Sequence, residues 1–331
     1  MTFVESTDCQ QSPQPYVFEA VSVTGCTLAA TDSNLQAWCD RFLNIGDSHQ
    51  FRPLMPFVWA CVSHYPKMFI EGQEDLGYTS QNEFFFMFPV IRYSNIWGVW
   101  FPTELSWAFP YIGVTNGTSA ISGQAVLGFP KMLGTITMET GSDGIFTAAV
   151  AMPGFVRRDR NTEQEILPVV AIRTGAPASP ASPVVAAGPT ITDAPATHPF
   201  PWSLVSTGLL TSTFEDEIID LLEEIDPGLF SVTNLKQIRD AEHSTQACYQ
   251  SLVRAEWRLA DSAMTLFDGA EVDVFDNTSV AIAADLGLVG GTPVTSAPLG
   301  GKPAPGLRVQ AIAAFSMHTD MRFGDVTNLE L

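Results

Sequence analysis

The stretch Gly128-Phe129-Pro130-Lys131-Met132-Leu133-Gly134 constrains this chain more than any other, because it sets one ammonium group inside an apolar run. Ala125-Val126-Leu127 precede it, and Ile136 and Met138 follow. The chain has four lysines, Lys67, Lys131, Lys236 and Lys302. Lysine is ordinarily kept at a surface, where its stem packs and its charge stays wet. Two outcomes are open. The chain can turn here, as Gly128, Pro130 and Gly134 allow, so that the head reaches water. Otherwise the amine is buried, and burial disfavours the protonated form of an amine. An uncharged amine near neutral pH attacks a carbonyl carbon to give a Schiff base.

The rest of the composition narrows the setting. The 331 residues suffice for one large domain or two ordinary ones. At 46% apolar they can bury a sizeable core, and 23 prolines with 25 glycines point to many short elements joined by turns. A formal net charge of −20 argues against nucleic acid and anionic membrane as partners, since both need basic surface. The five cysteines (Cys9, Cys26, Cys39, Cys61 and Cys248) are odd in number and form no Cys-x-x-Cys pair. That pattern suits a reducing compartment rather than a disulfide framework or a zinc site. Residues 1–15 lack the basic and apolar regions of a signal peptide. The longest candidate for a membrane span, residues 96–114, is broken by Pro102, Glu104 and Pro110. A cytoplasmic protein is expected.

Read along the chain, periodicity predicts strands at 16–24 and 57–63, with a helix between them at 33–43 capped by Ser33. A second aromatic-Pro-Lys-Met, Tyr65-Pro66-Lys67-Met68, lacks the preceding glycine, and Lys67 reads as a turn lysine, the lesser candidate for a reactive amine. Glu83 opens the aromatic run Phe84-Phe85-Phe86-Met87-Phe88, which ends at Arg92 and reads as a strand buried on both faces or lining an apolar cavity. Trp97, Trp100, Trp107, Phe109 and Tyr111 lie in a turn-rich segment, either ordinary core or a wall of that cavity. A hairpin at 134–139 and 146–152 and a strand at 166–173 follow. Residues 174–202, rich in Pro, Ala, Ser and Thr, read as a loop insertion. The clearest helix is 215–226, capped by Ser212 or Thr213 and ended by Pro227-Gly228.

Strands at 229–238 and 247–259, a short helix at 280–286, a loop at 290–306 and a last strand at 307–315 complete the pattern. Arg254, Glu256 and Arg258 alternate on one strand face, a charged surface in which Arg254 is also a candidate substrate contact. His243 and His318 have no partner spacing for a metal. The whole gives an α+β fold, mainly antiparallel β.

Asn116, Gly123 and Gly128-Phe129-Pro130-Lys131 resemble the signature of the acetoacetate decarboxylase superfamily, in which an Asn, a Gly-Arg-Glu and an aromatic-Pro-Lys follow at this spacing. Glu83, six residues before Pro89-Val90, matches a glutamate that the family places before a Pro-Val pair. The resemblance implies a β-barrel-like core with a few peripheral helices, formed by residues 1–331 as one domain. It also implies a homo-oligomer, a small oxo acid or ketone as substrate, and a Schiff base on Lys131 that needs no cofactor or metal. Glu83 would then move protons. Arg92, Phe86, Phe129, Met132 and Arg254 are the candidate substrate contacts, Arg92 being either a bidentate carboxylate clamp or the partner of a structural acid.

The sequence also departs from the family. Met132 stands where decarboxylases carry a second lysine, and the triplet reads Gly123-Gln124-Ala125. An expected arginine falls near Val21 and a second acid near Val58. With those charges gone, aldol-type condensation, dehydration or cyclisation is as well implied as decarboxylation. A non-catalytic binding protein that keeps the fold is the alternative.

Overall fold

The computed structural model describes residues 4, 11–178, 229–296, 303–329 and 331. The helix expected at 215–226 and most of the 174–202 insertion lie outside the described residues.

The architecture follows from long strands with alternating faces. A nine-stranded sheet runs in the order β2-β4-β3-β1-β15-β11-β10-β5-β6, and an added β4–β5 pairing closes seven of its strands into a barrel. The ring comprises β1 (Tyr16–Ala29), β3 (Phe57–Ile70), β4 (Thr79–Ile96), β5 (Val99–Val114), β10 (Leu229–Arg239), β11 (Ala247–Leu266) and β15 (Ala313–Leu329). Within the ring every pairing is antiparallel except the short one between β10 and β5. β2 (His49–Pro53) pairs with β4, and β6 (Lys131–Leu133) runs parallel to β5. A second, six-stranded sheet has the order β13-β14-β12-β9-β8-β7. Its strands are β7 (Thr135–Thr140), β8 (Phe146–Gly154), β9 (Glu165–Thr174), β12 (Ala270–Val274), β13 (Thr292–Ser296) and β14 (Ala304–Gln310).

β4 shows how one strand serves two cores. Successive side chains on a strand point to opposite faces. Phe84, Phe86 and Phe88 pack outward with Val150, Ile172 and Val272 of the second sheet. Phe85 and Met87 point into the barrel beside Phe109, Phe129, Trp257 and Phe323. All five β4 side chains are 3% exposed or less, so each contributes about 1.5–3 kcal/mol of apolar burial. The run is thus buried on both faces, as its composition predicts.

Several boundaries differ from the sequence expectation. Residues 97–111 form no turn-rich wall: after a turn at Gly98 they are strand β5, which takes its ladder partners along β4 from Glu83 to Ile96. Trp97 is fully exposed at that turn. Lys67 lies within β3 rather than in a turn, because β1 supplies partners for β3 as far as Ile70. The expected loop 290–306 contains β13, and the last strand divides into β14 and β15. Helix α1 (Asp32–Phe42) has its N-cap two residues earlier than expected, at Thr31 rather than Ser33. The short helix at 280–286 is present as α3 (Ile282–Leu286).

Among the described residues no helix is long and apolar enough to cross a membrane.

Candidate active site

Helix α2 (Gly117–Leu127), which periodicity alone did not reveal, delivers the lysine. Asn116 caps it, its side-chain oxygen accepting from the Ser119 N–H at 3.1 Å. The helix closes at Gly128, whose φ of +72° is left-handed and suits glycine. There the Gly128 and Phe129 N–H groups donate to the Gln124 and Gly123 carbonyls. A Cβ at residue 128 would also lie 2.8 Å from the Lys236 backbone. The chain then enters β6, where Gln124 Nε2 donates to the Lys131 carbonyl and Lys131 pairs with Ile112 of β5. Pro130 and Gly128 therefore make the turn that the sequence allows, and that turn sends Lys131 inward.

The side chain of Lys131 crosses the helix surface at Gly123. A Cβ there would lie 2.5 Å from Lys131 Cδ and 2.9 Å from Cε. Lys131 is 9% exposed, and its Nζ lies 2.8 Å from Glu83 Oε2 and donates to Ser119 Oγ at 3.2 Å. Glu83, 4% exposed, also accepts from Gln81 Nε2 at 3.1 Å. The opposite amide atom, Gln81 Oε1, is buried with no hydrogen-bond partner. The amine also sits 5.7 Å from the Phe129 ring centroid.

These groups form the inner wall of a cavity of about 660 Å³. Phe109, Phe129, Trp257 and Phe323 line it as a contiguous aromatic cluster, with ring centroids 5.5–5.7 Å apart. Tyr65 also faces it, and burial pushes the phenol well above its ordinary range, with the Glu83 charge adding to the effect. Its hydroxyl is therefore a neutral donor across the working pH range. Tyr16, likewise raised by burial, donates to the Ser12 carbonyl at 2.6 Å. Leu76 and Tyr78, 72% and 64% exposed, sit at the mouth.

Of the residues singled out in the sequence, the structure brings Lys131, Glu83 and Phe129 together. It places the other four elsewhere. Phe86 lies on the outward face of β4, because the period of two that turns Glu83 inward turns Phe86 out. Met132 is 38% exposed and does not line the cavity, for the same reason on β6. Arg92 lies 2.9 Å from Glu104, and Arg254 pairs with Glu104 and, at 3.0 Å, with Glu256. Both arginines are thus ion-paired with the chain's own acids, away from the cavity. Lys67 pairs with Glu19 at 2.7 Å, and both side chains are nearly half exposed. Sequence reasoning passed over Gln81, Ser119 and Tyr65. Alternation on β4 carries a signal for Gln81, two residues before Glu83, whereas Ser119 and Tyr65 needed the fold. Among the described residues no group of three His, Cys, Asp or Glu side chains is placed to hold a metal.

The closed barrel with its second sheet is the fold of acetoacetate decarboxylase-like proteins. No family model and no curated protein matches the sequence. Solved structures do. The acetoacetate decarboxylase of Legionella pneumophila aligns over 96% of this chain and 88% of its own, at 12% identity and a TM-score of 0.55. An acetoacetate decarboxylase-like enzyme from Sphingomonas wittichii RW1 covers 97% and 94%, at 12% identity and a TM-score of 0.53. The enduracididine biosynthesis enzyme MppR, complexed with pyruvate, covers 96% and 91%, at 14% identity and a TM-score of 0.51. At these identities the likeness establishes the fold.

Proposed function

We propose that this chain is a divergent member of the acetoacetate decarboxylase superfamily, a Schiff-base-forming lyase that acts through Lys131 on a ketone or oxo acid. The observation that carries the reading is the 2.8 Å contact between Lys131 Nζ and Glu83 Oε2 inside a cavity large enough for an organic substrate. A buried amine beside a carboxylate has both things imine formation needs, a nucleophile and a proton carrier.

The steps balance within that pair. The ammonium passes a proton to Glu83, and the freed nitrogen lone pair bonds to the carbonyl carbon while the C–O π pair moves to oxygen. Glu83 returns its proton to that oxygen, giving a carbinolamine. It then takes a second proton from nitrogen and delivers it to the hydroxyl, which leaves as water. The product is a protonated imine, an electron sink for breaking or forming a bond at the neighbouring carbon. Ser119 orients the amine, Gln81 holds the Glu83 carboxylate, and the neutral Tyr65 hydroxyl faces the same space. Decarboxylation and aldol-type, dehydration or cyclisation chemistry all pass through this intermediate.

One observation favours a second reading, a binding protein that keeps the fold. With Met132 turned outward, the amine has a carboxylate beside it and no neighbouring cation among the cavity-lining residues, a pairing that also suits a structural ammonium. Reductive trapping separates the two. Incubation with a panel of ketones and oxo acids plus borohydride, followed by peptide mapping, is expected to give an adduct on Lys131. An unmodified Lys131 across the panel overturns the enzyme reading.

A further inference from the structure

The cavity holds a charge pattern that points to its substrate. Among the residues that line it, Lys131 and Glu83 are the only charged ones, and they neutralise each other at 2.8 Å. Arg92 and Arg254, the arginines that could have clamped a carboxylate, are committed to Glu104. The stretches outside the described residues contain no arginine, and Lys302 is their one lysine. A substrate carboxylate would therefore lose its hydration in a space walled by Phe109, Phe129, Trp257 and Phe323, without a cation to replace it. The one positive charge, on Lys131, is already matched by Glu83 and stays at the reacting carbon as the protonated imine, so it is no dedicated partner for a carboxylate. Glu83, beside the reacting carbon, would repel the anion instead.

What the cavity does offer is area for an apolar body. Its volume of about 660 Å³ lies within the range of sites that enclose drug-sized molecules. Exposed Leu76 and Tyr78 extend the apolar lining to its mouth. We infer that the substrate is an uncharged ketone or aldehyde bearing an aromatic or branched apolar arm, rather than a small oxo acid. The carbonyl lies at Lys131 and the arm against the aromatic cluster. This inference rests on the imine reading above for the carbonyl and on the cavity alone for the absence of charge. It also selects the chemistry. With no carboxylate to lose, the iminium is discharged by the Glu83 carboxylate taking a proton from the α-carbon. The C–H pair becomes the Cα=C bond, the C=N π pair moves to nitrogen, and a neutral enamine results.

A matched pair of probes tests this. 4-Phenylbutan-2-one and 2-oxo-4-phenylbutanoate share a skeleton and differ by a methyl against a carboxylate. Titration calorimetry at neutral pH on the full chain is expected to show the ketone binding at least tenfold tighter. Equal or tighter binding of the oxo acid, or binding of neither, overturns the inference. Thr118→Arg, which adds a cation to the cavity wall, is expected to narrow or reverse that ratio, and an unchanged ratio contradicts charge as the discriminator. Borohydride trapping of the same pair keeps the two claims apart. Selective ketone binding without an adduct on Lys131 leaves the substrate class standing and removes the imine. Preferential trapping of the oxo acid does the opposite.

Discussion

Lys131 and Glu83 stand 48 residues apart in sequence and meet at 2.8 Å because both project into the barrel from strands that flank β5. Ile112 of β5 has Phe85 of β4 on one side and Lys131 of β6 on the other, and Glu83 lies two residues before Phe85 on the same face. The contact is thus a consequence of register, which a one-residue slip in either strand would abolish. Removing one partner of such a buried pair strands the other charge, at a cost of about 3–5 kcal/mol. Lys131→Met is expected to lose that much in urea unfolding and to abolish trapping. Adding Glu83→Gln to it should recover most of the stability and none of the trapping. Additive losses in the double variant would show that the two groups do not interact.

Gly123 matters through what it leaves room for. In the interior of α2, replacing a glycine by alanine normally stabilises a helix by about 1 kcal/mol. Here the new methyl would sit 2.5 Å from Lys131 Cδ, so the lysine stem must shift and carry its amine off Glu83. Gly123→Ala is expected to lose stability, because the strained Lys131–Glu83 pair outweighs the helix gain of about 1 kcal/mol, and to lose at least tenfold in trapping rate. Full activity in this variant would mean that the stem position is not what places the amine.

The sequence-level motif was informative where it named residues and silent about why they recur. Lys131, Glu83 and Phe129 were readable from an aromatic-Pro-Lys run and an isolated acid before a run of phenylalanines. Their companions Asn116, Gly123 and Gly128 turn out to be a helix cap, a point of close approach and a left-handed helix end, roles that spacing does not disclose. Helix α2 escaped notice because Ser, Gly, Ala and Val on all its sides leave no polar stripe to mark a period of 3.6. Arg92 was open to a substrate carboxylate or a structural acid and Arg254 sat on a charged strand face, and nothing local says that both reach Glu104, which comes from β5. Barrel closure itself depends on the short β10–β5 ladder, a long-range pairing that leaves no local trace.

The Glu104 cluster gives a prediction opposite in kind to that for the lysine. Arg254→Met removes a partner from Glu104 and Glu256 without touching the cavity. A fall of about 1–3 kcal/mol in stability is expected, with trapping kinetics and the ketone preference unchanged. A selective loss of oxo acid binding in this variant would return Arg254 to the role of a substrate contact.

Burial also sets the alkaline limit of stability. The Cys26 thiol is pushed from 9.0 up to about 12 by desolvation, and Cys61 and Tyr65 are raised well above their ordinary values. In the unfolded chain these groups ionise near 9 and 10, so it sheds protons that the folded chain keeps. Stability is then full below pH 9 and falls as pH rises from about 9 through 12. Urea midpoints measured between pH 7 and 11 should decline only above 9, and a flat profile would contradict the buried placement. Over the same range Cys248, which is exposed, should be the first of the four described cysteines to react with iodoacetamide.

The central claim is that the Lys131 amine forms an imine with a bound carbonyl compound, and exchange of the carbonyl oxygen reports that step without a reductant. Imine formation expels the oxygen as water, and hydrolysis restores it from solvent. With 4-phenylbutan-2-one in ¹⁸O-labelled water, mass spectrometry is expected to show label entering the ketone far faster with the wild-type chain than with Lys131→Met or buffer alone. Exchange at the uncatalysed rate in the wild type, or at the same rate in the variant, would contradict the account.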